Sequence, residues 1–411
     1  MKKKFHYSWV ICLLCVLAIF CTIGMISNTF TLYLNALIEE NGLTKAQGSS
    51  ITTVRTLATF LSMFATTRYY NKAGLRRGMS FALVLIAAAF FIYSRGSSLP
   101  VFYVAAFTAG TGFGLGTMIP VTMIVNNWFV KSRGFVLGFA SAGAGITPIV
   151  ASPFITALLE KGGVALSASV QSLFVLSAAL LMFIFLRDKP EDMGLRPYGE
   201  AEIIQPSDDG ETLAAAPAEK KDFAKRDHML MILATLVLGI TASPCIDNAA
   251  VYMNTSGIDA AAITLSMTSF GILSIIGKFF YGAVADRLGA YIANYIVTFI
   301  YIVGVTIGVF MGTSSAMAVL FTGIMGLGFC VSTVSVSVWS IDFYPKEKLN
   351  SAVKTLQMTT TLGGLLSSAV PGIIADIAGN YQPFYMLAIA AAVIQLLIVQ
   401  TRYVKYGKQK L

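Results

Sequence analysis

Twelve stretches of this sequence are apolar and long enough to cross a lipid bilayer as helices. A bilayer core of roughly 30 Å needs about 20 residues at 1.5 Å of rise per residue. The stretches are continuously apolar, without the alternation of period two that a transmembrane barrel requires. We therefore predict an all-α integral membrane protein with twelve transmembrane helices. The predicted spans are 9–34, 48–67, 79–95, 101–125, 134–158, 168–186, 229–251, 260–284, 291–311, 315–341, 352–375 and 382–401.

The composition also indicates a membrane environment. Of the 411 residues, 56% are hydrophobic and 12% are charged, whereas a soluble domain carries about 25% charged residues. The net charge of +9 comes from basic residues in short loops, which indicates membrane orientation and not nucleic-acid binding. No acid pair, nucleophile–base pair or metal-ligand cluster appears at a common depth, so we expect no enzyme, cofactor or metal site.

The basic residues are distributed unevenly between the two sides of the predicted spans. If the N-terminus is cytoplasmic, 24 of the 29 lysines and arginines lie in cytoplasmic segments, and only Lys45, Arg95 and Lys161 lie outside. Basic residues accumulate on the cytoplasmic side of membrane proteins. We therefore predict a multi-pass protein of the cell membrane, plasma or inner, with both termini cytoplasmic.

The two halves of the chain repeat each other at a constant offset. Residues 71–74 (NKAG) precede residues 286–289 (DRLG) by 215 positions, and residues 128–131 (WFVK) precede residues 343–346 (FYPK) by the same number. Such a repeat predicts two structurally related halves.

A polar stretch, residues 188–228, separates the sixth span from the seventh. Its content of Asp, Glu, Ala and Pro is typical of a flexible linker, here cytoplasmic. The predicted domains are therefore two six-helix bundles, residues 1–187 and 229–411. Two parallel six-helix halves with a substrate site at the midplane between them are typical of secondary transporters.

The turn between the eighth and ninth spans has the spacing G-x-x-x-D-R-x-G. Gly282 permits close helix packing, Asp286 is able to cap a helix end, Arg287 meets the anionic membrane surface, and Gly289 permits the turn. This loop resembles the signature of the major facilitator superfamily. The resemblance implies the major facilitator fold of two pseudo-symmetric six-helix bundles, with the loop serving the gate.

A second motif follows the sixth span. Residues 187–199, RDKPEDMGLRPYG, resemble the R-D-x-P-E-x-x-G-L-x-P-x-G run of the oxalate/formate antiporter and monocarboxylate porter branch of that superfamily. The resemblance implies carboxylate substrates.

Three charged side chains fall well inside predicted spans: Arg55, Asp247 and Lys278. Each of the two cations lies about 12–13 Å from the nearer end of its span, close to the middle of the bilayer core. A charge at that depth costs at least about 2.5–3.5 kcal/mol, so it faces a cavity or a partner. We expect Lys278 and Arg55 to bind an anionic substrate. Asp247 either pairs with one of these cations or carries a coupling proton.

Polar residues at helical spacing accompany these charges. Asn28 and Thr31 on the first span, Ser274 one turn before Lys278, and Gln357 on the eleventh span are expected to line the substrate path. The alternative for such residues is hydrogen bonding between packed helices.

The branch that the chain resembles adds roles for three positions. A basic residue, usually Arg, stands there eight positions before the loop Asp and is implied to bind the substrate carboxylate; Lys278 occupies that position. Oxalate transporters of the branch carry a second cation on helix 11, where Gln357 is the nearest candidate. Proton-coupled porters place an acidic residue where Ser274 stands, so Asp247 is the proton-coupling candidate.

We therefore expect a secondary active transporter of a small mono- or dicarboxylate, working by alternating access as an antiporter or proton symporter. The expected partners are this organic anion, a coupling proton or counter-anion and the lipid bilayer, with no nucleic acid, and we expect a monomer. An exporter of multiple drugs or amphipathic compounds is the alternative within the same fold. A sensor would need a signalling domain, for which the segments outside the helices are too short.

Overall fold

The computed structural model describes residues 6–200, 223–367 and 370–406. These residues form helices and one isolated β-bridge, between Phe129 and Tyr198, which confirms the all-helical prediction. They group into two compact units. The first unit holds the described residues of Met1–Lys131 and Phe139–Asp208, and the second holds those of Ser132–Gly138 and Asp209–Leu411.

The first unit is interrupted at two places along its helices. A π-helical segment, Phe20–Asn28, follows the first helix directly, and the seventh helix contains two residues with non-helical backbone angles, Gly162 and Gly163. A short 3-10 turn, Pro190–Met193, follows the last helix. The helices are α1 (Ser8–Ile19), α2 (Phe30–Glu40), α3 (Lys45–Ala73), α4 (Leu75–Arg95), α5 (Leu99–Gly116), α6 (Met118–Trp128) and α7 (Arg133–Phe185), whose first residues group with the second unit.

The second unit contains several short helices that continue one another after a break. Its helices are α8 (Lys225–Asp247), α9 (Ala249–Thr255), α10 (Ala260–Leu288), α11 (Ala290–Gly308), α12 (Ser315–Gly328), α13 (Cys330–Thr333), α14 (Ser335–Phe343), α15 (Lys346–Ser367), α16 (Val370–Ala378) and α17 (Gln382–Tyr406). A 3-10 turn, Met311–Thr313, precedes α12. Asp259 caps α10, and the hydrogen bond from the Ala262 amide holds the pKa of its carboxyl below the usual range.

The described residues of each predicted span fall on helical segments, but the number of crossings stays a prediction. Within the described residues, ten helical stretches are long and apolar enough to cross a membrane. One of them, α7, contains two predicted spans, which meet near Gly163, where φ is +62°. The span 48–67 lies in α3, which is helical but more polar than those ten stretches.

The segment after α7 holds three parts of the first unit together. The carboxylate of Asp188 accepts a hydrogen bond from the Arg76 amide at 2.7 Å, at the start of α4. Trp128, the last residue of α6, donates its indole N–H to the Arg187 carbonyl at 2.9 Å. The Trp128 carbonyl in turn accepts from the Tyr198 amide at 2.9 Å. The motif at residues 187–199 is therefore part of the packed structure of the first unit.

Salt bridges connect the beginning and end of the second unit. Asp227, in the first turn of α8, is buried and accepts hydrogen bonds from Arg402, from Lys405 at 2.6 Å and from the Tyr406 hydroxyl. These contacts fasten the last turns of α17 to α8.

Candidate functional site

Lys278 lies in the middle of α10 and is only 5% exposed. A Cβ at Gly277 would lie 2.2 Å from the carbonyl oxygen of Leu327, so the missing side chain lets α12 pack closely against α10. Cys330, the first residue of α13, lies within electrostatic reach of the Lys278 ammonium group. Ser274 is buried one turn earlier and donates its hydroxyl to the backbone of its own helix at 2.9 Å.

Gln357 lies half-buried on α15, in the same unit. Its side-chain amide donates to the hydroxyl oxygen of Ser337 on α14, with an Nε2–Oγ distance of 3.4 Å. An amide offers both donors and an acceptor but no charge. Gln357 is therefore able to orient a polar ligand, but it does not supply the second cation that the resemblance implied on helix 11.

Asp247 is the last residue of α8 and is exposed. Pro244 precedes it by one turn, and Asn248 donates its side-chain amide to the Pro244 carbonyl at 3.1 Å before the chain continues as α9. Within the described part of its own unit, the Asp247 carboxylate has no hydrogen-bond or ion-pair partner. The structure therefore does not pair Asp247 with Lys278.

Arg55, on α3, makes contacts inside the first unit. Its guanidinium donates to the carbonyl of Ile26 in the π-helical segment, and its central carbon lies 4.7 Å from the ring centroid of Phe30. π-Helical turns interrupt the regular hydrogen-bond ladder and are frequent at functional sites. Arg55 therefore holds the irregular end of the first predicted span in place.

The π-helical segment has a second side-chain contact, made by its own last residue. Asn28 is exposed, and its amide donates to the Ala144 carbonyl of α7 at 2.7 Å. Thr31 lies in the first turn of α2, but its side chain lies outside the described residues. The structure thus brings Arg55 and Asn28 to the same stretch of backbone.

The loop residues Gly282 and Asp286 contact the beginning of α7 within the second unit. The Asp286 carboxylate accepts hydrogen bonds from the amide of Gly134 at 3.0 Å and from that of Phe135 at 2.8 Å. A Cβ at Gly282 would lie 2.5 Å from the Gly134 carbonyl oxygen, so only glycine allows this approach. Asp286 therefore caps a helix, but a helix 151 residues earlier in the chain and not its neighbour in sequence.

Arg287 and Gly289 complete the same loop. Arg287 is exposed in the last turn of α10, where a cation is favourable. Gly289 adopts a φ of +88°, a conformation that L side chains rarely adopt, and connects α10 to α11. These positions are compatible with the predicted roles, Arg287 at the membrane surface and Gly289 in the turn.

Two buried polar residues of the second unit, Tyr281 and Ser335, were not identified from the sequence. Tyr281 lies three positions after Lys278 on α10, and Ser335 begins α14; both are fully buried. A tyrosine one turn from an intramembrane cation is a signal that could have identified Tyr281. No sequence pattern could have identified Ser335, because its position in the structure depends on how α13 and α14 are joined.

The described ranges contain no group of three or more His, Cys, Asp or Glu side chains that could hold a metal ion. The five cysteines, at positions 12, 15, 21, 245 and 330, are buried free thiols. Buried cysteines behave as small apolar residues.

Sequence comparisons assign the chain to a transporter family. The profile of the Major Facilitator Superfamily matches residues 14–246 and 231–410. The oxalate:formate antiporter of Oxalobacter formigenes is 22% identical over 325 residues, which cover 78% of this chain and 70% of that protein. Monocarboxylate transporter 13 of Bos taurus is 22% identical over 327 residues, covering 77% and 71%.

Solved structures show the same fold. The Major Facilitator Superfamily transporter FucP in the outward conformation superposes with a TM-score of 0.74 at 16% identity, covering 96% of this chain and 99% of FucP. The proton:xylose symporter XylE gives 0.72 at 16% identity, covering 96% and 95%. At these identities the likeness concerns the fold alone. The profile match spans both repeated halves, and the chain therefore belongs to the Major Facilitator Superfamily.

Proposed function

We propose that this transporter moves a small organic anion, a mono- or dicarboxylate, by alternating access. The observation that carries the proposal is Lys278, a cation with 5% exposure in the middle of the apolar helix α10. A buried ammonium group is costly unless an anion or a set of hydrogen bonds compensates it. The oxalate:formate antiporter and monocarboxylate transporter among the relatives support a small organic anion as the ligand of Lys278.

The proposed roles of the other residues follow from their positions. Arg55 is the second cation for the anion, and the loop around Asp286 is the gate. The halves 1–187 and 229–411 are the moving parts, connected by residues 188–228, and the protein acts as a monomer in the cell membrane with both termini cytoplasmic. The remaining residues proposed along the substrate path are Asn28, Thr31, Ser274 and Gln357.

A ligand screen tests the substrate class. The melting temperature of the purified protein is measured with formate, acetate, lactate, oxalate and malonate, and separately with lipophilic cations. We expect stabilisation by at least one carboxylate, because a ligand that binds only the folded state stabilises it in proportion to its concentration over Kd. Stabilisation by the lipophilic cations alone would replace the proposal with the exporter of amphipathic compounds.

The coupling mode is proposed to be antiport or proton symport, with Asp247 as the proton carrier. Its carboxylate is exposed at the end of α8 and has no partner in the described part of its unit. In proteoliposomes, a proton gradient should drive uptake by the wild type, and Asp247→Asn should retain exchange but lose that drive. Exchange without pH dependence in both proteins would remove Asp247 from the mechanism and leave antiport.

A further inference from the structure

Two arginines of the first unit are held at the same helix end, the C-terminal end of α7. Arg76, in the first turn of α4, donates its Nε–H to the Phe183 carbonyl at 2.5 Å, and its central guanidinium carbon lies 4.6 Å from the Phe183 ring centroid. Arg187 donates from one Nη to the carbonyls of Ile184 at 2.6 Å and Leu186 at 2.9 Å. These carbonyls belong to neighbouring residues, so the two guanidiniums lie close together.

The carbonyl groups hold the two guanidiniums without neutralising them. A helix C-terminus carries only about half a negative charge, against two full positive charges here. The neighbouring acid, Asp188, directs its carboxylate to the Arg76 amide at 2.7 Å and so caps the start of α4. Within the described ranges, neither guanidinium forms an ion pair, and both Nη groups of Arg76 make no hydrogen bond. Like charges at one helix end repel each other, so the arrangement favours an anion between them.

Beside the arginines, the same two helices expose apolar side chains. α4 and the second half of α7 pack side by side, since the Ser172 hydroxyl donates to the Ala87 carbonyl at 2.8 Å. Leu180 and Ile184 on α7 are 58% and 44% exposed, and Phe81 on α4 is 50% exposed. Both helices belong to stretches that are long and apolar enough to cross a membrane. The pair therefore offers an apolar track to an acyl chain, with the two arginines at its end.

We propose that Arg76 and Arg187 form the headgroup site of an anionic phospholipid, whose acyl chains lie along α4 and the second half of α7. The apolar stretch of α4 begins at Leu75 and that of α7 ends at Phe185, so both guanidiniums lie at the level of the lipid headgroups. Arginine binds phosphate oxygens through parallel N–H groups, and both side chains keep such donors available. The site is independent of which substrate the protein transports.

The site predicts discrimination between lipids that share their acyl chains and differ in headgroup charge. Phosphatidylglycerol has a net negative charge, whereas the ammonium group of phosphatidylethanolamine balances its phosphate and would face the two arginines. We expect the wild type to bind phosphatidylglycerol about tenfold more tightly than phosphatidylethanolamine. Glycerol phosphate, which has the phosphate but no acyl chains, should bind far more weakly than phosphatidylglycerol, because the apolar track is then unused.

The test titrates the purified full-length protein in detergent with each of the three ligands and counts the bound molecules by native mass spectrometry. Arg76→Gln and Arg187→Gln should each weaken phosphatidylglycerol binding by about tenfold, since a charged hydrogen-bond donor to the phosphate is lost. Binding of phosphatidylethanolamine should stay within about twofold of the wild type. The rise in melting temperature that phosphatidylglycerol gives the wild type should shrink in both variants.

Arg77→Gln is the matched control. Arg77 follows Arg76 directly and is exposed, so this variant removes the same charge from the same end of α4. We expect it to weaken phosphatidylglycerol binding by less than about threefold, because salt screens a charge that does not contact the headgroup. Arg187→Gln carries the test if Arg76→Gln folds poorly, since the Arg187 side chain bonds only to the end of its own helix.

Three outcomes would overturn the site. Equal affinity of the wild type for the two lipids would show that the headgroup charge is not recognised. A loss in Arg77→Gln as large as in Arg76→Gln and Arg187→Gln would show a diffuse effect of surface charge. Binding of glycerol phosphate as tight as that of phosphatidylglycerol would leave a site for free phosphate and none for a lipid. Carboxylate binding is measured without these ligands, so the proposed function and the lipid site fail separately.

Discussion

The two cations that the sequence predicts to lie inside the membrane, Arg55 and Lys278, have different surroundings. Arg55 lies among groups that satisfy it: a carbonyl of the π-helical segment accepts its hydrogen bond, and the face of Phe30 covers it. Lys278 is buried in α10, and the Cys330 thiol lies within electrostatic reach of its ammonium group. The comparison indicates that a buried cation in this protein has one of two roles. One cation stabilises irregular backbone, and the other is proposed to bind the transported anion.

The largest expected effect is that of Lys278→Ala. We expect carboxylate uptake into proteoliposomes to fall by about 100-fold or more, as for the removal of one partner from a buried, hydrogen-bonded charge pair. Lys354→Ala, at a half-buried lysine on α15, is the control and should keep uptake. Normal uptake by folded Lys278→Ala would refute the site assignment.

Arg55→Ala should reduce uptake less than Lys278→Ala does, and it should also lower the stability of the protein. The variant loses a charged hydrogen bond and a cation–π contact, which together contribute about 2–4 kcal/mol of stability. We expect a clear drop in melting temperature and about a tenfold loss of uptake. Arg68→Ala, at an exposed position of the same helix α3, should change neither. If Arg55→Ala keeps its stability and loses only carboxylate binding, the two cations have the same role and the contrast drawn above is wrong.

Asp286→Ala tests the contact between the signature loop and α7. The variant leaves the amides of Gly134 and Phe135 without their cap, which costs about 1–2 kcal/mol. Because the substitution changes the cap of α7 and not Lys278 or Arg55, we expect the transport rate to fall about fivefold with unchanged substrate affinity. Rates and equilibrium binding measured on the same preparation separate these quantities. A change in affinity alone would place Asp286 in binding instead of gating.

The smallest expected effect is that of Asn28→Ala. It removes the hydrogen bond to the Ala144 carbonyl, which contributes about 1 kcal/mol. Uptake should stay within about twofold of the wild type, while the melting temperature falls slightly. A loss of uptake as large as that of Arg55→Ala would show that the end of the π-helical segment contacts the substrate directly.

The signature loop shows how much of the site could be predicted from the sequence. Gly282, Asp286 and Gly289 were recognisable because turns and close helix contacts restrict which residues fit. The hydrogen-bond partners of Asp286 could not be predicted, because the amides of Gly134 and Phe135 lie about 150 residues away in the chain. Likewise, hydropathy identified the helices, but it did not reveal the break at Gly162 and Gly163, because two apolar helices with a short junction form one apolar pattern.

The sequence by itself determined the membrane environment, the helical class and the repeated halves, and it predicted the depth of the two cations. These properties follow from apolar length and charge cost, which are local to each stretch of chain. Only the tertiary structure decided what each cation meets. The contact of Arg55 with a π-helical carbonyl and the approach of Cys330 to Lys278 depend on packing between distant segments, which no local pattern in the chain encodes.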